Sequence, residues 1–190
     1  MKGIFSFFND FPTFETDRLI LRRMLVRDKD DMYEYSANPE VTKYLLWSEH
    51  PSSDYTARYL KYMQQKYRRG EVYDWAVVNK SDNKMIGTCG FVRFDMENNA
   101  AEVGYVISDK YWGCGYAAEA VRRILRFGFD ELALQRIFAR HIVGNERSGR
   151  VMEKCGMKYE GILRGSMYIK EKYRDIALYA ILRSDFYEMQ

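Results

Sequence analysis

A glycine-bearing segment at residues 111–118, Tyr-Trp-Gly-Cys-Gly-Tyr-Ala-Ala, constrains the fold most because a helical pattern follows it at once. Small or apolar side chains recur with a period of about 3.6 residues, at Ala117, Ala120, Val121, Ile124, Leu125 and Gly128. Gly113 and Gly115 allow backbone conformations that other residues disfavour, and they let a ligand approach the main chain. The unpaired N–H groups of a first helical turn suit a phosphate. The segment therefore predicts a phosphate-binding loop, with a plain turn between two elements as the alternative.

Two common phosphate loops fit this segment poorly. A nucleoside-triphosphate loop ends in Lys followed by Ser or Thr, whereas Tyr116 and Ala117 follow Gly115 here. Gly113, Gly115 and Ala118 do satisfy the dinucleotide pattern G-x-G-x-x-A, but the next predicted strand lacks the terminal acidic residue that would hold a ribose. Too little chain follows for a second mononucleotide-binding half. A dinucleotide site is therefore the weaker interpretation.

Length and composition favour a single domain over residues 1–190 in a reducing compartment. The chain has 190 residues, 47% of them hydrophobic, which suffices for one well-buried core. A net charge of +3 is too balanced for nucleic acid as the primary partner. Cys89, Cys114 and Cys155 show neither a disulfide framework nor a metal-ligand spacing, so we expect no metal. With no signal-peptide core and no run of membrane-spanning length, we expect a cytoplasmic protein without a membrane partner.

The remaining patterns predict an α/β (α+β) fold, with a mixed and mostly antiparallel sheet of about six to seven strands flanked by about four helices. Strands are expected at 18–24, 75–78, 85–94, 101–108, 135–142, 158–163 and 175–182. Helices are expected after Asp28, from Ser52 or Ser53 to about Arg69, directly after Gly115, and from Asn145 to Gly156. Asn38-Pro39 is expected to stop the first helix.

Four motifs, in this order along the chain, resemble those of the GCN5-related N-acetyltransferases, the GNAT family. They are Glu15 to Arg22, Ala101 to Tyr105, Trp112 to Ala117, and Asn145 to Ser148 together with Glu153 to Met157. The likeness spans residues 15–182 and looks closest to the ribosomal-protein N-terminal acetyltransferase branch, RimJ and RimL. Two positions depart from the family pattern: Trp112 stands where Gln or Arg is usual, and Met152 stands where a catalytic Tyr is frequent.

The resemblance implies acetyl-coenzyme A as the acetyl donor. Its pyrophosphate would bind the backbone N–H groups of the loop, and its pantetheine arm would lie along the preceding strand like an added strand. Asn145 would hydrogen-bond that arm. The expected cofactor-binding residues are Tyr105, Val106, Ile107, Trp112, Gly113, Cys114, Gly115, Tyr116, Ala117, Ala118 and Asn145.

Acetyl transfer to an amine requires a neutral amine, a polarised thioester carbonyl and a stabilised thiolate. We expect Glu102 to take the amine's proton, directly or through water, if its side chain points into the cleft. The alternative is a strand carboxylate in a cross-strand charge pair. A backbone N–H near Val106 is a candidate donor to the carbonyl oxygen. Ser148 is the candidate acid, and its alternative role is to satisfy the N-terminus of a helix.

The expected partner is an amine acceptor, with the N-terminal α-amine of a protein or peptide as the first choice. An α-amine has a pKa of about 8 against about 10.4 for lysine, so it loses its proton more easily at neutral pH. A small amine such as a polyamine or an aminoglycoside is the second choice. The alternative outside the enzymes is a non-catalytic acyl-CoA-binding module. The patterns leave open whether the protein is a monomer or a homodimer.

Overall fold

The computed structural model describes Phe8 and residues 10–189. The strands are β1 (Phe14–Glu15), β2 (Leu19–Arg22), β3 (Asp74–Asn79), β4 (Lys84–Asp95), β5 (Ala100–Ile107), β6 (Arg136–Ile142), β7 (Lys158–Ile169) and β8 (Lys172–Leu182). The helices are α1 (Lys29–Ser36), α2 (Pro39–Thr42), α3 (Ser53–Arg68), α4 (Tyr116–Asp130), α5 (Glu146–Lys154) and α6 (Arg183–Glu188). The strands form one sheet in the order β1-β2-β3-β4-β5-β6-β8-β7, and only β5 and β6 pair in parallel. The predicted fold class, α/β with a mixed and mostly antiparallel sheet, is confirmed.

Helix α4 covers one face of the sheet and begins directly after Gly115, as the periodicity predicts. Gly115 is its N-cap, with a φ of 83°. A Cβ added at Gly128 would lie 2.6 Å from Cδ1 of Ile137, so this glycine lets the helix lie close to β6. Phe127 extends the contact to Trp75 of β3, with ring centroids 5.8 Å apart. Because each large apolar side chain contributes about 1.5–3 kcal/mol when buried, this interface stabilises the position of the loop.

Helices α1 and α3 cover the opposite face. Ser52, one of the two predicted caps, begins α3 by accepting a hydrogen bond from the backbone N–H of Tyr55 at 3.2 Å. The buried stripe of α3 includes Leu60, Met63 and Tyr67. The hydroxyl of Tyr67 donates to the carbonyl oxygen of Asp74 at 2.7 Å, which ties this helix to the start of β3. Part of the predicted tyrosine stripe is therefore core.

The structure has more elements than the predicted six to seven strands and four helices. The additions within the described residues are β1, α2 and α6. Asn38-Pro39 ends one helix and also starts the next, because the Asn38 side chain accepts from the N–H of Glu40 and proline suits a first helical position. Strands β7 and β8 are longer than predicted because Lys170 and Glu171 form their turn with φ of 48° and 63°, without the glycine or asparagine that would signal it.

The parallel pair β5 and β6 positions the functional site. Only Ala100–Glu102 of β5 pair with Arg136–Phe138 of β6, so the two strands separate beyond Glu102. Residues 103–107 keep their partners on β4 but have no strand partner on the β6 side. On its other side β6 pairs with the antiparallel β8, so the described chain lacks a second mononucleotide-binding half. None of the described helices is long and apolar enough to cross a membrane.

Candidate active site

A cleft of about 730 Å³ opens where β5 and β6 separate. Its walls come from the end of β5, the glycine loop, the first turns of α4 and α5, and the α2 region. Ten of the predicted cofactor-binding residues line it, namely Tyr105, Val106, Ile107, Trp112, Gly113, Gly115, Tyr116, Ala117, Ala118 and Asn145. Cys114 does not line it and contributes its backbone carbonyl to another contact, described below. No sequence motif predicted the remaining wall, which is formed by Glu40, Val41, Lys43, Tyr44 and Leu45.

The glycine loop has the conformation that a phosphate loop requires. Gly113 and Gly115 have φ of 80° and 83°, in the left-handed region that favours glycine. The indole N–H of Trp112 donates to the carbonyl oxygen of Ile107 at 2.8 Å and fastens the loop to the end of β5. Backbone N–H groups of the first turn of α4 therefore point toward the cleft from a fixed position, with the positive end of the helix dipole behind them.

Arg18 and Glu119 brace the loop from outside the cleft. The guanidinium of Arg18 donates to the carbonyl oxygen of Cys114 at 2.9 Å and to Oε2 of Glu119 at 2.7 Å. It also lies 4.4 Å from the ring centroid of Tyr116. Glu119 accepts a further bond from the Thr16 hydroxyl at 2.6 Å. The segment before β2 thus holds the loop in place, a role that helical periodicity alone did not reveal.

The first turn of α5 presents polar groups to the cleft. Asn145 is the N-cap residue, but its side chain makes no capping hydrogen bond and lines the cleft. The Tyr105 hydroxyl donates to the carbonyl oxygen of Ser148 at 2.8 Å and lies 2.8 Å from the Ser148 hydroxyl. Ser148 therefore bonds to Tyr105 instead of capping the helix. Met152, at the family's tyrosine position, is 1% exposed and contributes to the core.

Basic side chains border the cleft on the α5 side. The guanidinium of Arg147 lies 4.3 Å from the ring centroid of Trp112. Arg150 and Lys154 follow it along the same helix and line the cleft as well. Cations beside a loop with free N–H groups favour a ligand that carries several phosphates. Arg147 and Lys154 lie within the family motifs, but none of the three residues was predicted as a site residue.

Glu102 is placed differently from its expected position as a base pointing into the cleft. It does not line the cleft, and its side chain is 8% exposed. Both of its oxygens accept bonds from the guanidinium of Arg140, at 2.9 Å each, and Arg93 adds a third contact at 2.9 Å. Both carboxylate oxygens are therefore already in contact with arginine side chains. This arrangement favours the alternative, a cross-strand charge pair, and the Glu102 side chain of that pair is buried.

Comparisons with known proteins identify the family. The sequence matches the family described as "Acetyltransferase (GNAT) domain" over residues 18–158. It is 31% identical to the N-acetyltransferase p20 of Bacillus licheniformis over 174 residues, which cover 92% of this chain and 98% of that protein. A GNAT-family acetyltransferase structure from Bacillus anthracis matches with a TM-score of 0.80 at 29% identity, covering 91% of this chain and 99% of that one. The chain belongs to the GNAT family of N-acetyltransferases, which makes it an acyltransferase.

Two further relatives have names that state different acceptors. The ribosomal protein uS5-alanine N-acetyltransferase of Escherichia coli is 25% identical over 179 residues, covering 90% of this chain and 91% of that protein. The spermidine N(1)-acetyltransferase of Vibrio cholerae is 24% identical over 169 residues, covering 89% and 95%. These names point to an alanine of a ribosomal protein and to spermidine, so family membership does not select one acceptor.

Proposed function

We propose that this protein transfers the acetyl group of acetyl-CoA to a primary amine, with the N-terminal α-amine of a protein as the leading acceptor. The observation that carries the proposal is the presence in one cleft of a glycine phosphate loop and a stretch of β5 whose edge on the β6 side is free. The loop suits a pyrophosphate, and the free edge at residues 103–107 suits an extended arm with amide groups. Acetyl-CoA contains a pyrophosphate followed by an extended arm with amide groups. The three cysteines are free thiols, which agrees with the reducing cytoplasm that forms part of this proposal.

Under this proposal, each part of the donor binds a different group of residues in the cleft. The pyrophosphate binds the N–H groups between Gly113 and Ala118, while Arg147 and its neighbours along α5 face the remaining phosphate charge. The pantetheine arm pairs with the backbone from Tyr105 to Ile107, and the Asn145 side chain bonds to it. This course brings the thioester to the point where β5 and β6 meet, with the Val106 N–H as a candidate donor to the carbonyl oxygen.

Ser148 is our candidate for stabilising the leaving thiolate. Its hydroxyl lines the cleft, and Tyr105, which shares a hydrogen bond with it, restricts its rotamers. Burial raises the pKa of Tyr105 well above the ordinary range. Tyr105 therefore stays protonated at neutral pH and acts as a fixed hydrogen-bond donor to the Ser148 carbonyl, which leaves the Ser148 hydroxyl proton available for the departing sulfur.

Ser148→Ala is expected to lower kcat by about 10-fold or more, because a hydrogen bond to a charged group contributes about 1.5–3 kcal/mol. The KM for acetyl-CoA should change little, since the bond forms mainly as charge develops on sulfur. Steady-state kinetics of thiol release measure both constants. A matched control is Ser53→Ala, at an exposed hydroxyl that bonds to Asp30 far from the cleft. Equal kinetics for the two variants would contradict the role of Ser148.

The acceptor preference is tested by competition. A peptide with a free α-amine is expected to be acetylated faster than the same peptide with a blocked terminus and an internal lysine, because its lower pKa leaves more neutral amine at pH 7. Both peptides, spermidine and an aminoglycoside are mixed at equal concentration with acetyl-CoA, and the products are read by mass spectrometry. Preference for spermidine would replace the leading acceptor with the polyamine candidate that the Vibrio cholerae relative suggests. No coenzyme A release with any amine would favour a non-catalytic acyl-CoA-binding module.

A further inference from the structure

The two-residue turn between β7 and β8 consists of residues that disfavour its conformation. Ile169 pairs with Lys172, and the two residues between them, Lys170 and Glu171, have φ of 48° and 63°. Turns of this kind prefer glycine or asparagine, because other residues lose stability at positive φ. Such strain persists where the surrounding structure over-determines the conformation, and it often accompanies a functional role. We therefore asked what the side chains of this turn contact.

The Lys170 side chain reaches the end of α2. Its Nζ donates a hydrogen bond to the backbone carbonyl oxygen of Thr42 at 2.9 Å, across 128 positions of the sequence. The same oxygen accepts from the backbone N–H of Leu45 at 2.8 Å, so it uses both of its lone pairs. The Thr42 hydroxyl donates to Glu49, and this bond, with a smaller effect of the Lys170 charge, lowers the pKa of the Glu49 carboxyl. Lys170 thus binds the turn where α2 ends and the wall of the cleft continues.

A small apolar cluster joins the same hairpin to the same wall. Its buried members come from the ends of three strands and are separate from the main core: Ile142 of β6, Ile169 of β7 and Ile176 of β8. Tyr44 of the wall and Met167 of β7 pack against them. Buried apolar contacts of this kind stabilise the arrangement of the parts that share them. The β7–β8 hairpin and the wall are therefore attached to each other both by a polar bond and by apolar packing.

The wall at residues 40–45 is the part of the cleft that remains for the acceptor once the donor is placed. It lines the cleft but belongs to none of the segments assigned to the donor. The Tyr44 hydroxyl lies 3.7 Å from the position of a Cβ at Gly144, the residue before Asn145, which is assigned to the pantetheine arm. An amine that attacks the thioester must therefore enter beside this wall. The position of the wall affects how tightly the acceptor binds, whereas the phosphate loop is formed by other segments.

We propose that Lys170 is a positioning residue for the acceptor amine, an inference that rests on the proposed acetyltransferase function. Its ammonium group holds the Thr42 carbonyl, and the bond from Leu45 to the same carbonyl keeps the following turn of the wall in place. The acceptor then meets a wall of fixed shape. This role also accounts for a lysine at positive φ: asparagine would relieve the backbone strain, but its side chain is too short to span the distance to Thr42.

The test compares two substitutions at adjacent positions of the turn. Lys170→Asn and Glu171→Asn both relieve a positive φ, because asparagine is enriched there, but only the first removes the bond to Thr42. With the best acceptor of the wild-type protein, Lys170→Asn is expected to raise the KM for the amine about 10-fold, an effect within the range of a charge-assisted hydrogen bond. The value of kcat should change less than about 3-fold, because the wall binds substrate and transition state alike.

Three further measurements separate positioning from folding. The affinity of Lys170→Asn for acetyl-CoA, measured by calorimetry, should equal that of the wild type. Glu171→Asn, at an exposed side chain, should keep wild-type kinetics and unfold at a higher temperature than Lys170→Asn, because both gain from relief of strain and only Lys170→Asn loses a bond. Lys170→Arg keeps a cationic donor of similar reach, so its KM for the amine should lie within about 2-fold of the wild-type value.

The outcomes separate this inference from the proposed function. A Lys170→Asn variant with a wild-type KM for the amine would overturn the role of Lys170 and leave the acetyltransferase function standing. An equal rise in KM for Lys170→Asn and Glu171→Asn would trace the effect to the backbone of the turn, and a lower affinity of Lys170→Asn for acetyl-CoA would place it on the donor; either result contradicts the inference. A wild-type protein that fails to bind acetyl-CoA, or to acetylate any amine, would overturn the proposed function and the inference with it.

Discussion

Gly115→Val is expected to reduce the affinity for acetyl-CoA at least about 100-fold, which is close to abolishing binding. Residue 115 has a φ of 83°. A non-glycine residue in that region lowers the stability of this conformation by about 1–2 kcal/mol, and a β-branched residue lies at the upper end of this range. The added side chain would also meet the Arg18 guanidinium, which lies 3.5 Å from the position of a Cβ at residue 115, and so disturb the contact that holds the loop in place. Calorimetry gives the affinity directly. Thermal unfolding gives a second measure, because a ligand at 100 times its Kd stabilises the folded state by about 2.7 kcal/mol.

The matched control for this variant is Gly165→Val in β7. Gly165 also has a positive φ, of 57°, and a Cβ there would meet no atom within 4 Å, so the backbone cost is similar while the cleft is untouched. We expect this control to lose some stability and to bind acetyl-CoA normally. Normal binding by Gly115→Val would show that the loop does not hold the pyrophosphate, and equal loss in both variants would trace the effect to folding.

Glu102→Gln is expected to lower the free energy of unfolding by about 2 kcal/mol. Removing one partner of a fully buried ion pair costs about 3–5 kcal/mol, because it leaves a charge without compensation. The cost is smaller here because Arg93 is 59% exposed and regains water, whereas Arg140 is 19% exposed and does not. Turnover per folded molecule should change less than about 3-fold, since the carboxylate does not face the cleft. Urea unfolding and steady-state kinetics measure the two effects separately.

A partly exposed ion pair near the surface provides the stability control for the Glu102 variant. Glu160 forms a bidentate pair with Arg136, and both side chains are about one-third exposed, so Glu160→Gln should cost less than about 1 kcal/mol. If Glu102 were the base, its Gln variant would instead lose about 100-fold in kcat at neutral pH and recover at high pH. That kinetic result with unchanged stability would restore the sequence-based prediction.

Local signals explain why so much of the donor site was predictable. Gly113 and Gly115 both have positive φ, a conformation that favours glycine. The 15-residue helix after them has a clear apolar periodicity, so neighbouring residues alone predict the loop. Ser52 as a helix cap is readable for the same reason. The structure brings the motifs around Tyr105, Gly115 and Asn145 into one cleft, as their order along the chain and the family resemblance imply.

Contacts between residues far apart in the sequence could not be predicted from local patterns. Arg18 reaches a carboxylate 101 positions away, and no local pattern marks that contact. Glu102 looked equally suited to catalysis or to a charge pair, because the sequence does not show that Arg93 and Arg140 converge on it from two different strands.

The short seam between β5 and β6 has a consequence for the order of binding. Within the described residues, only three backbone residue pairs join β5 to β6, so the cleft is a wedge-shaped gap between two strands that diverge. A pantetheine arm along Tyr105 to Ile107 would fill this gap and pair with the free edge of β5. The donor itself would then form one wall of the acceptor site, so it would have to bind before the acceptor.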